Sequence, residues 1–226
     1  VTTCYENFRF HEAVHTLHRF VTRYLSAFYF DVLKDRLYTF LPSSPARRAA
    51  QTVLYEILVT LVKLYAPVLC FTAEEVWGYI KQMEKEKEES VFLSSWPSQN
   101  PSFIDPELEE RWEKIMQVRE RVLKEMEKAR QAKKISSSLE ASLTFYLPSQ
   151  FFVIFNRLGE EALKEIFIVS QVKVKASQDD TDFKVQVEKA EGGKCERCWN
   201  YSTTVGQQRG HPTLCARCRQ VVENLA

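Results

Sequence analysis

The sequence predicts a mainly α-helical protein, in which a helical bundle is followed by a long helix, a small α/β junction unit and a four-cysteine finger. Apolar residues recur at helical spacing through roughly the first eighty residues and again after residue 106. The apolar period shortens to that of strands near Leu139. Two Cys-x-x-Cys pairs lie near the end of the chain. We therefore expect domains at residues 1–106, 107–190 and 191–226.

Composition excludes some classes of protein. The chain has 226 residues, a length sufficient for two or three domains. Its content of 45% hydrophobic and 27% charged residues is ordinary for globular proteins. A net charge of +1 argues against a strongly basic nucleic-acid binder, so any such binding would use a local face. No apolar run reaches the roughly 18 residues of a membrane span. The chain begins Val1-Thr2-Thr3 without Met, which we expect of a piece of a longer protein.

Two long helices are predicted in the first part of the bundle. Their apolar stripes run through residues 14–28 and 53–65, and the segment Pro42-Ser-Ser-Pro45 separates them. Ser44 is positioned to cap the second helix, with a proline at the first helical position. Pro67 is expected to end or kink that helix.

A third helix is predicted to run to about Met83. Thr72-Ala-Glu-Glu75 has the form of a capping box, with Phe71 and Val76 as the hydrophobic staple. The mixed charges of residues 81–89 are typical of a solvated helix end and a linker.

After the linker, Val91–Pro97 is expected to lie extended over the bundle. Glu107–Lys134 reads as one long helix with a packing seam and a Glu110–Lys114 ion pair. Gly192-Gly193 is expected to hinge into the finger. The shorter period predicts a strand, a helix and two further strands, at Leu139–Leu147, Ser149–Glu165, Ile166–Val174 and Phe183–Glu188.

The finger is the strongest chemical signal in the sequence. Its ligand candidates are Cys195 and Cys198, then Cys215 and Cys218 after sixteen residues. Four thiolates saturate one tetrahedral Zn²⁺, so the metal would be structural rather than catalytic. Two disulfides are the alternative, but the chain has no dense cysteine framework and no signal peptide, which favours a reducing compartment. His211 lies between the pairs and is expected to be exposed.

No catalytic constellation is apparent. The sequence contains neither a Gly-rich phosphate loop nor a nucleophile with a base at recognisable spacing. His11, His15 and His18 share one helical face, yet no carboxylate or cysteine accompanies them at a matching interval. We expect these three histidines to be packed or on the surface.

Basic and aromatic residues point to recognition of unpaired RNA. Lys34, Arg36, Arg47 and Arg48 lie near a cluster of aromatic residues, most of which should be core: Tyr24, Phe28, Tyr29, Phe30, Tyr38 and Phe40. Cations bind phosphate, while exposed aromatic rings stack on bases. In the finger, Arg197, Trp199 and Arg217 are candidate RNA contacts, and solubilising surface charge is the alternative.

Several segments resemble a known family. Residues 27–38, Arg47-Arg48-Ala-Ala-Gln51, Ala66-Pro67 and Phe71–Trp77 resemble the anticodon-binding helical domain of class Ia aminoacyl-tRNA synthetases. Within that class, Ser138-Leu-Glu-Ala141 and the Cys195–Tyr201 and Cys215–Cys218 segments are similar to isoleucyl enzymes of the bacterial type. The family usually has Gly at the position of Ser136.

The resemblance implies an activity for a larger parent protein. The parent would activate isoleucine with ATP and esterify tRNA(Ile), whereas this part would bind the anticodon arm, hold one zinc ion and catalyse nothing. Tyr201-Ser-Thr-Thr and the charged linker favour the mitochondrial matrix over a bacterial cytoplasm, and we expect a monomer that binds neither DNA nor membranes. The alternatives are a zinc-finger DNA-binding module of the repair type and a protein-docking module.

Overall fold

The computed structural model describes residues 1–83, 88–177, 183–207 and 209–225. Backbone contacts divide the chain into two compact units. The first unit comprises Val1–Asp31 and Pro42–Ile104, and the second comprises Val32–Leu41 and Asp105–Ala226. The three-part division at residues 106 and 190 stays a prediction.

The first unit is built from helices, as the sequence predicted. Its core contains Val59, Val62 and the fully buried Trp77, whose indole Nε1 donates to the carbonyl of Glu88 at 3.0 Å. A π-helical segment, Phe20–Tyr29, joins α2, Phe10–Arg19, to α3, Phe30–Thr39, and residues 32–39 of α3 belong to the second unit. Helices α1 to α5 span Thr2–Glu6, Phe10–Arg19, Phe30–Thr39, Pro45–Tyr65 and Cys70–Lys81.

Two prolines set the ends of α4 as predicted. The helix begins at Pro45 and ends at Tyr65, two residues before Pro67. Ser44 occupies the N-cap position, but its side chain makes no capping hydrogen bond to any described backbone amide. Val91 lies in the core of this unit within a short 3₁₀ turn, Val91–Leu93, where the sequence had predicted an extended segment over the bundle.

The capping box predicted for α5 is wrong. The helix begins at Cys70, so Thr72 already lies in the first turn and not at the N-cap. Phe71 is 93% exposed and cannot form a staple. Glu74 instead accepts hydrogen bonds from the Ser90 hydroxyl and the Val91 amide, at the start of the 3₁₀ turn Val91–Leu93. Residues 84–87 of the predicted linker lie outside the described residues.

The second unit begins with the predicted long helix. Helix α6, Pro106–Gln131, starts where Asp105 Oδ1 accepts the amide of Leu108 at 3.0 Å. The predicted Glu110–Lys114 ion pair is present at 2.6 Å. The buried seam of α6 comprises Ile115, Val118, Val122, Met126 and Ala129.

A three-stranded sheet packs with α6. Strand β1, Ala141–Leu147, lies in the centre, parallel to β2, Gln171–Ala176, and antiparallel to β3, Lys184–Lys189. Helix α7, Ser149–Phe167, forms the crossover from β1 to β2, with a break at Gly159. Alternate residues of β1 are buried in the core that α6 and α7 cover.

The strand predicted at Ile166–Val174 is wrong in its first half. Ile166 and Phe167 complete α7 and are buried in its core. Ile168 then adopts a left-handed conformation with φ +57°, which ends the helix. A short apolar run fits a helix or a strand equally well, so the period alone could not place this boundary.

The finger contains a short hairpin and a helix. Strands β4, Gly193–Lys194, and β5, Tyr201–Ser202, pair antiparallel, and α8 spans Ala216–Glu223. Gly192 has φ +91°, and a Cβ placed there would lie 2.3 Å from the backbone of Ser202. The predicted hinge is therefore a tightly packed entry into the hairpin.

Within the described ranges, no helix is long and apolar enough to cross a membrane.

Candidate metal centre and nucleic-acid surface

The four finger cysteines form a cluster suited to one metal ion. Their sulfur atoms all lie within 4.8 Å of one another, and all four residues are buried. The Sγ atoms of Cys198 and Cys215 are 3.9 Å apart. Zn–S bonds of about 2.3 Å in a tetrahedron place sulfur atoms about 3.8 Å apart, so the geometry fits zinc. All six cysteines of the chain are free thiols, in contrast to the disulfide alternative.

Local backbone structure positions these sulfur atoms. The amide of Trp199 donates to the carbonyl of Cys195 at 2.9 Å, which closes the first Cys-x-x-Cys turn. The amide of Cys215 donates to Cys195 Sγ at 3.3 Å. Helix α8 begins directly after Cys215 and places Cys218 in its first turn.

The thiols perturb one another strongly. Hydrogen bonds with Cys198 and then with Cys215 raise the pKa of Cys218 far above its ordinary value. The same contacts, with Cys215 first and then Cys218, lower the pKa of Cys198. Since one thiol ionises at the expense of its neighbours, a divalent cation is needed to stabilise four thiolates side by side. The residues present therefore fit a closed structural zinc site.

Other candidate ligands stay outside this cluster. Among the described residues, the cysteine group is the one set of three or more His, Cys, Asp or Glu side chains placed to hold a metal. His11, His15 and His18 are exposed on α2, which confirms that they are surface residues. His211 is half-buried.

The arginine inside each Cys-x-x-Cys turn contacts the end of α3 within the second unit. Arg197 Nη1 donates to the carbonyl of Thr39 at 2.5 Å and lies 3.8 Å from Cys218 Sγ. Arg217 binds Asp35 through two hydrogen bonds of 2.6 and 2.7 Å. Burial acts to lower the pKa of Arg217, but the hydrogen bonds and charge of Asp35, together with the charges of Cys198 and Cys218, raise it overall. Both arginines thus fasten the finger to residues 32–41.

A third predicted RNA contact also has an internal partner. Arg36 forms an ion pair with Glu165 of α7, and Arg217 additionally lies 5.1 Å from the centre of the Phe40 ring. Sequence reasoning missed Asp35 and Thr39 as the partners of the finger arginines. Asp35 lies 182 residues from Arg217, so no local pattern could have identified the pair.

The remaining candidates differ in their accessibility. Lys34 and Arg48 are exposed, and Arg47 is half-buried. Trp199 is 61% exposed and has a left-handed backbone with φ +64°. Lys194 Nζ lies 5.5 Å from the centre of the Trp199 ring. A cation therefore lies next to an accessible aromatic side chain.

The aromatic cluster near α3 is less buried than the sequence predicted. Tyr24, Phe30 and Tyr38 are 50%, 43% and 77% exposed, while the other three members are half-buried. The expectation that most of them form core is therefore wrong. Exposed rings offer flat faces on which unpaired bases can stack.

Comparison with known proteins identifies two parts of the chain. Residues 1–145 match the family described as the anticodon-binding domain of tRNA ligase. Residues 192–221 match the zinc finger found in FPG and IleRS. The second match contains all four clustered cysteines.

Individual relatives agree with the family matches. The chain is 42% identical to an isoleucine–tRNA ligase of Caldanaerobacter subterraneus over 99% of its length, and 42% identical to that of Moorella thermoacetica over 100%. It is 43% identical to the corresponding ligase of Persephonella marina over 99%. It spans about a quarter of the length of these bacterial relatives, 24–25%. With a matched region that covers more than half of its residues, the chain belongs to the anticodon-binding domain family of tRNA ligases.

Proposed function

We propose that this chain is the anticodon-arm-binding region of an isoleucine–tRNA ligase. The complete enzyme would use ATP to esterify tRNA(Ile) with isoleucine, and this region would bind the RNA without catalysing a step. The observation that supports this most directly is one chain with a matched helical domain and a four-cysteine cluster of zinc geometry. The names of the relatives supply the amino acid.

The candidate RNA contacts divide into two groups under this proposal. Lys34, Arg47 and Arg48 would attract phosphates, and Trp199 would stack on a base or ribose. Arg36, Arg197 and Arg217 would act mainly as positioning residues. The structure gives each of these arginines a partner within the protein. Any RNA contact by these three arginines would use the guanidinium N–H groups that do not already bind the internal partner.

Location and assembly are also proposals. A mitochondrial matrix location rests on Tyr201-Ser-Thr-Thr and on the charged run at residues 81–89, and a bacterial cytoplasm is the alternative that the bacterial relatives favour. We propose a monomer that binds neither DNA nor membranes.

Fluorescence anisotropy with the 226-residue chain tests the function. We expect tighter binding to a tRNA(Ile) transcript than to an unrelated tRNA, with the preference maintained as salt rises, because base contacts depend on salt less than phosphate contacts do. An aminoacylation assay with isoleucine and ATP should detect no product. Equal affinity for all tRNAs, or tighter binding to duplex DNA, would contradict the proposal.

A tryptophan variant tests the proposed stacking contact. Trp199→Ala should weaken tRNA(Ile) binding by about tenfold, the effect expected for one stacked base, whereas Trp199→Phe should retain most of the affinity. Phe103→Ala is the matched control, because Phe103 is a 78% exposed aromatic residue outside the finger. Equal losses from Trp199→Ala and the control would remove Trp199 from the interface.

A further inference from the structure

A cavity of about 300 Å³ in the second unit is lined by the turn after α6 and the end of β3. Four of its lining side chains are basic: Arg130, Lys133, Lys134 and Lys189. We propose that this cavity binds a backbone phosphate of the RNA, through residues that have no role in the RNA contacts assigned above. The inference rests on the RNA-binding function proposed for the chain.

The charges of the lining favour an anion. Both oxygens of the lining carboxylate, Glu140, already have partners: Oε1 accepts from Lys189 Nζ at 2.9 Å, and Oε2 accepts from the amide and hydroxyl of Ser136 at 2.7 and 2.6 Å. Arg130 forms an ion pair with Glu127, so Lys133 and Lys134 are the two cations of the lining that remain for an anion. Within the described part of the chain, neither Lys133 nor Lys134 has a carboxylate partner within 4.0 Å.

The backbone at Lys133 is unusual. Its φ is +56°, a left-handed conformation that favours Gly, and it occupies the position after the end of α6 where Gly is most common. The amide of Lys134 donates to the carbonyl of Ala129 at 2.9 Å, and the amide of Lys133 to that of Arg130 at 3.0 Å. Local backbone preference therefore does not account for a lysine at this position.

The turn fixes the backbone that carries Lys133 and Lys134. Ile135 is 3% exposed and anchors the turn in the core of the second unit. The hydrogen bonds of Ser136 to Glu140 fix the next residue, and the ion pair of Glu140 orients Lys189. Lys189, which is already ordered by this ion pair, loses less side-chain entropy on binding than a lysine without a partner.

The exposure of the lining lysines favours a nucleic-acid phosphate over a small free anion. The side chains of Lys133, Lys134 and Lys189 are exposed, so the cavity is accessible to a ligand much larger than itself. Lysines at such positions bind phosphate as point charges without enclosing it. The helix dipole alone does not account for the group, since it acts within the last turn of α6 and Lys189 comes from β3.

The test compares two charge-removing pairs in the 226-residue chain. We expect Lys133→Gln with Lys134→Gln to weaken tRNA(Ile) binding about three- to tenfold and to reduce the slope of log K against log salt by about one, the change expected for one lost phosphate contact. Lys124→Gln with Lys128→Gln removes the same charge from exposed positions of α6 outside the cavity and should change the slope less. Lys133→Gly should raise the melting temperature and still weaken binding, because it relieves the left-handed backbone while removing a cation.

The outcomes separate failure of the cavity proposal from failure of the proposed tRNA-binding function. If the unaltered chain shows no preference for tRNA(Ile), the proposed function fails. If that preference is present but both variant pairs change the slope equally, the cavity proposal fails alone. Titration with inorganic phosphate, followed by the amide NMR shifts of Lys134 and Ser136, tests the other source of the anion. Saturation by phosphate together with an unchanged RNA slope would assign the cavity to a free anion and overturn the RNA assignment.

Discussion

The α/β core of the second unit and the finger that follows it are stabilised by different forces. In the core, the rings of Phe145, Phe155 and Phe167 pack with centroids 5.1–6.0 Å apart, and the surrounding side chains are apolar. In the finger, the buried cluster consists of the four cysteines, with Val205 and Leu214 packed against it. A segment of about thirty residues buries too little apolar surface to fold alone. We infer that the core folds by apolar burial and the finger by metal binding.

Removal of the metal should have the largest effect and should separate the two regions. Zinc in a four-cysteine site contributes about 10 kcal/mol to folding, so Cys218→Ser or a strong chelator should unfold the finger. Hydrogen exchange should show rapid exchange of the Trp199 and Cys215 amides, which bond within the finger, while β1 stays protected. Elemental analysis should show about one zinc per unaltered chain.

An exposed cysteine provides the control for this experiment. Cys70→Ser removes a thiol outside the cluster and should change neither zinc content nor exchange. Loss of β1 protection in Cys218→Ser would mean that the core depends on the finger, and the contrast between the regions would be wrong.

A cavity in the core should give the next largest effect and should spare the finger. Phe145 is fully buried, so Phe145→Ala should lower the free energy of unfolding by about 3–5 kcal/mol. Urea unfolding followed by far-UV circular dichroism measures the change, and Phe103→Ala should have little effect. Zinc content should remain at the value of the unaltered chain, and a parallel loss of zinc would contradict the separation.

Backbone packing in the finger should give a smaller effect. Gly192→Ala places a Cβ 2.3 Å from the Ser202 backbone and also forces alanine into a left-handed conformation. We expect a loss of about 2–3 kcal/mol, measured as weaker zinc binding against a competing chelator. Gly206→Ala has the same backbone strain, with φ +88°, but no heavy atom within 4 Å, and should cost about 1 kcal/mol. Equal losses would mean that strain, and not the close approach to Ser202, controls this position.

The sequence predicted local features of the molecule better than contacts between distant residues. The helix ends at Pro45 and Pro67, the start of α6 and the cysteine cluster follow from local signals, and the structure has them where expected. Helix α6 ends at Gln131, three residues before the predicted end at Lys134. The capping box at Thr72 failed although its local pattern was correct. The turn after Pro67 allows the helix to begin at Cys70, three residues before the start that Thr72 as N-cap would give.

The contacts of the finger lay beyond sequence reasoning. Arg197 and Arg217 could be predicted to project beside the metal, but their partners are in α3, far away in the chain. A charged side chain that projects from a loop fits an RNA phosphate and an internal carboxylate equally well. Only the folded backbone determines whether Asp35 is within reach of Arg217.

The smallest expected effect concerns the charge that stabilises the end of the core. Hydrogen bonds from Ser136, then the hydrogen bond and charge of Lys189, lower the pKa of Glu140 to about 2 from the usual 4.5. Since the folded pKa is the lower one, the charged form stabilises the fold above pH 4.5, and this contribution disappears as the pH falls towards 2. Glu140→Gln should therefore be less stable than the unaltered chain near pH 6, and the difference should shrink between pH 4.5 and 2. Taking that difference at each pH, by urea unfolding, cancels the acid release of zinc that both chains share. A difference that stayed constant down to pH 2 would show that Glu140 acts through shape and hydrogen bonding, and not through its charge.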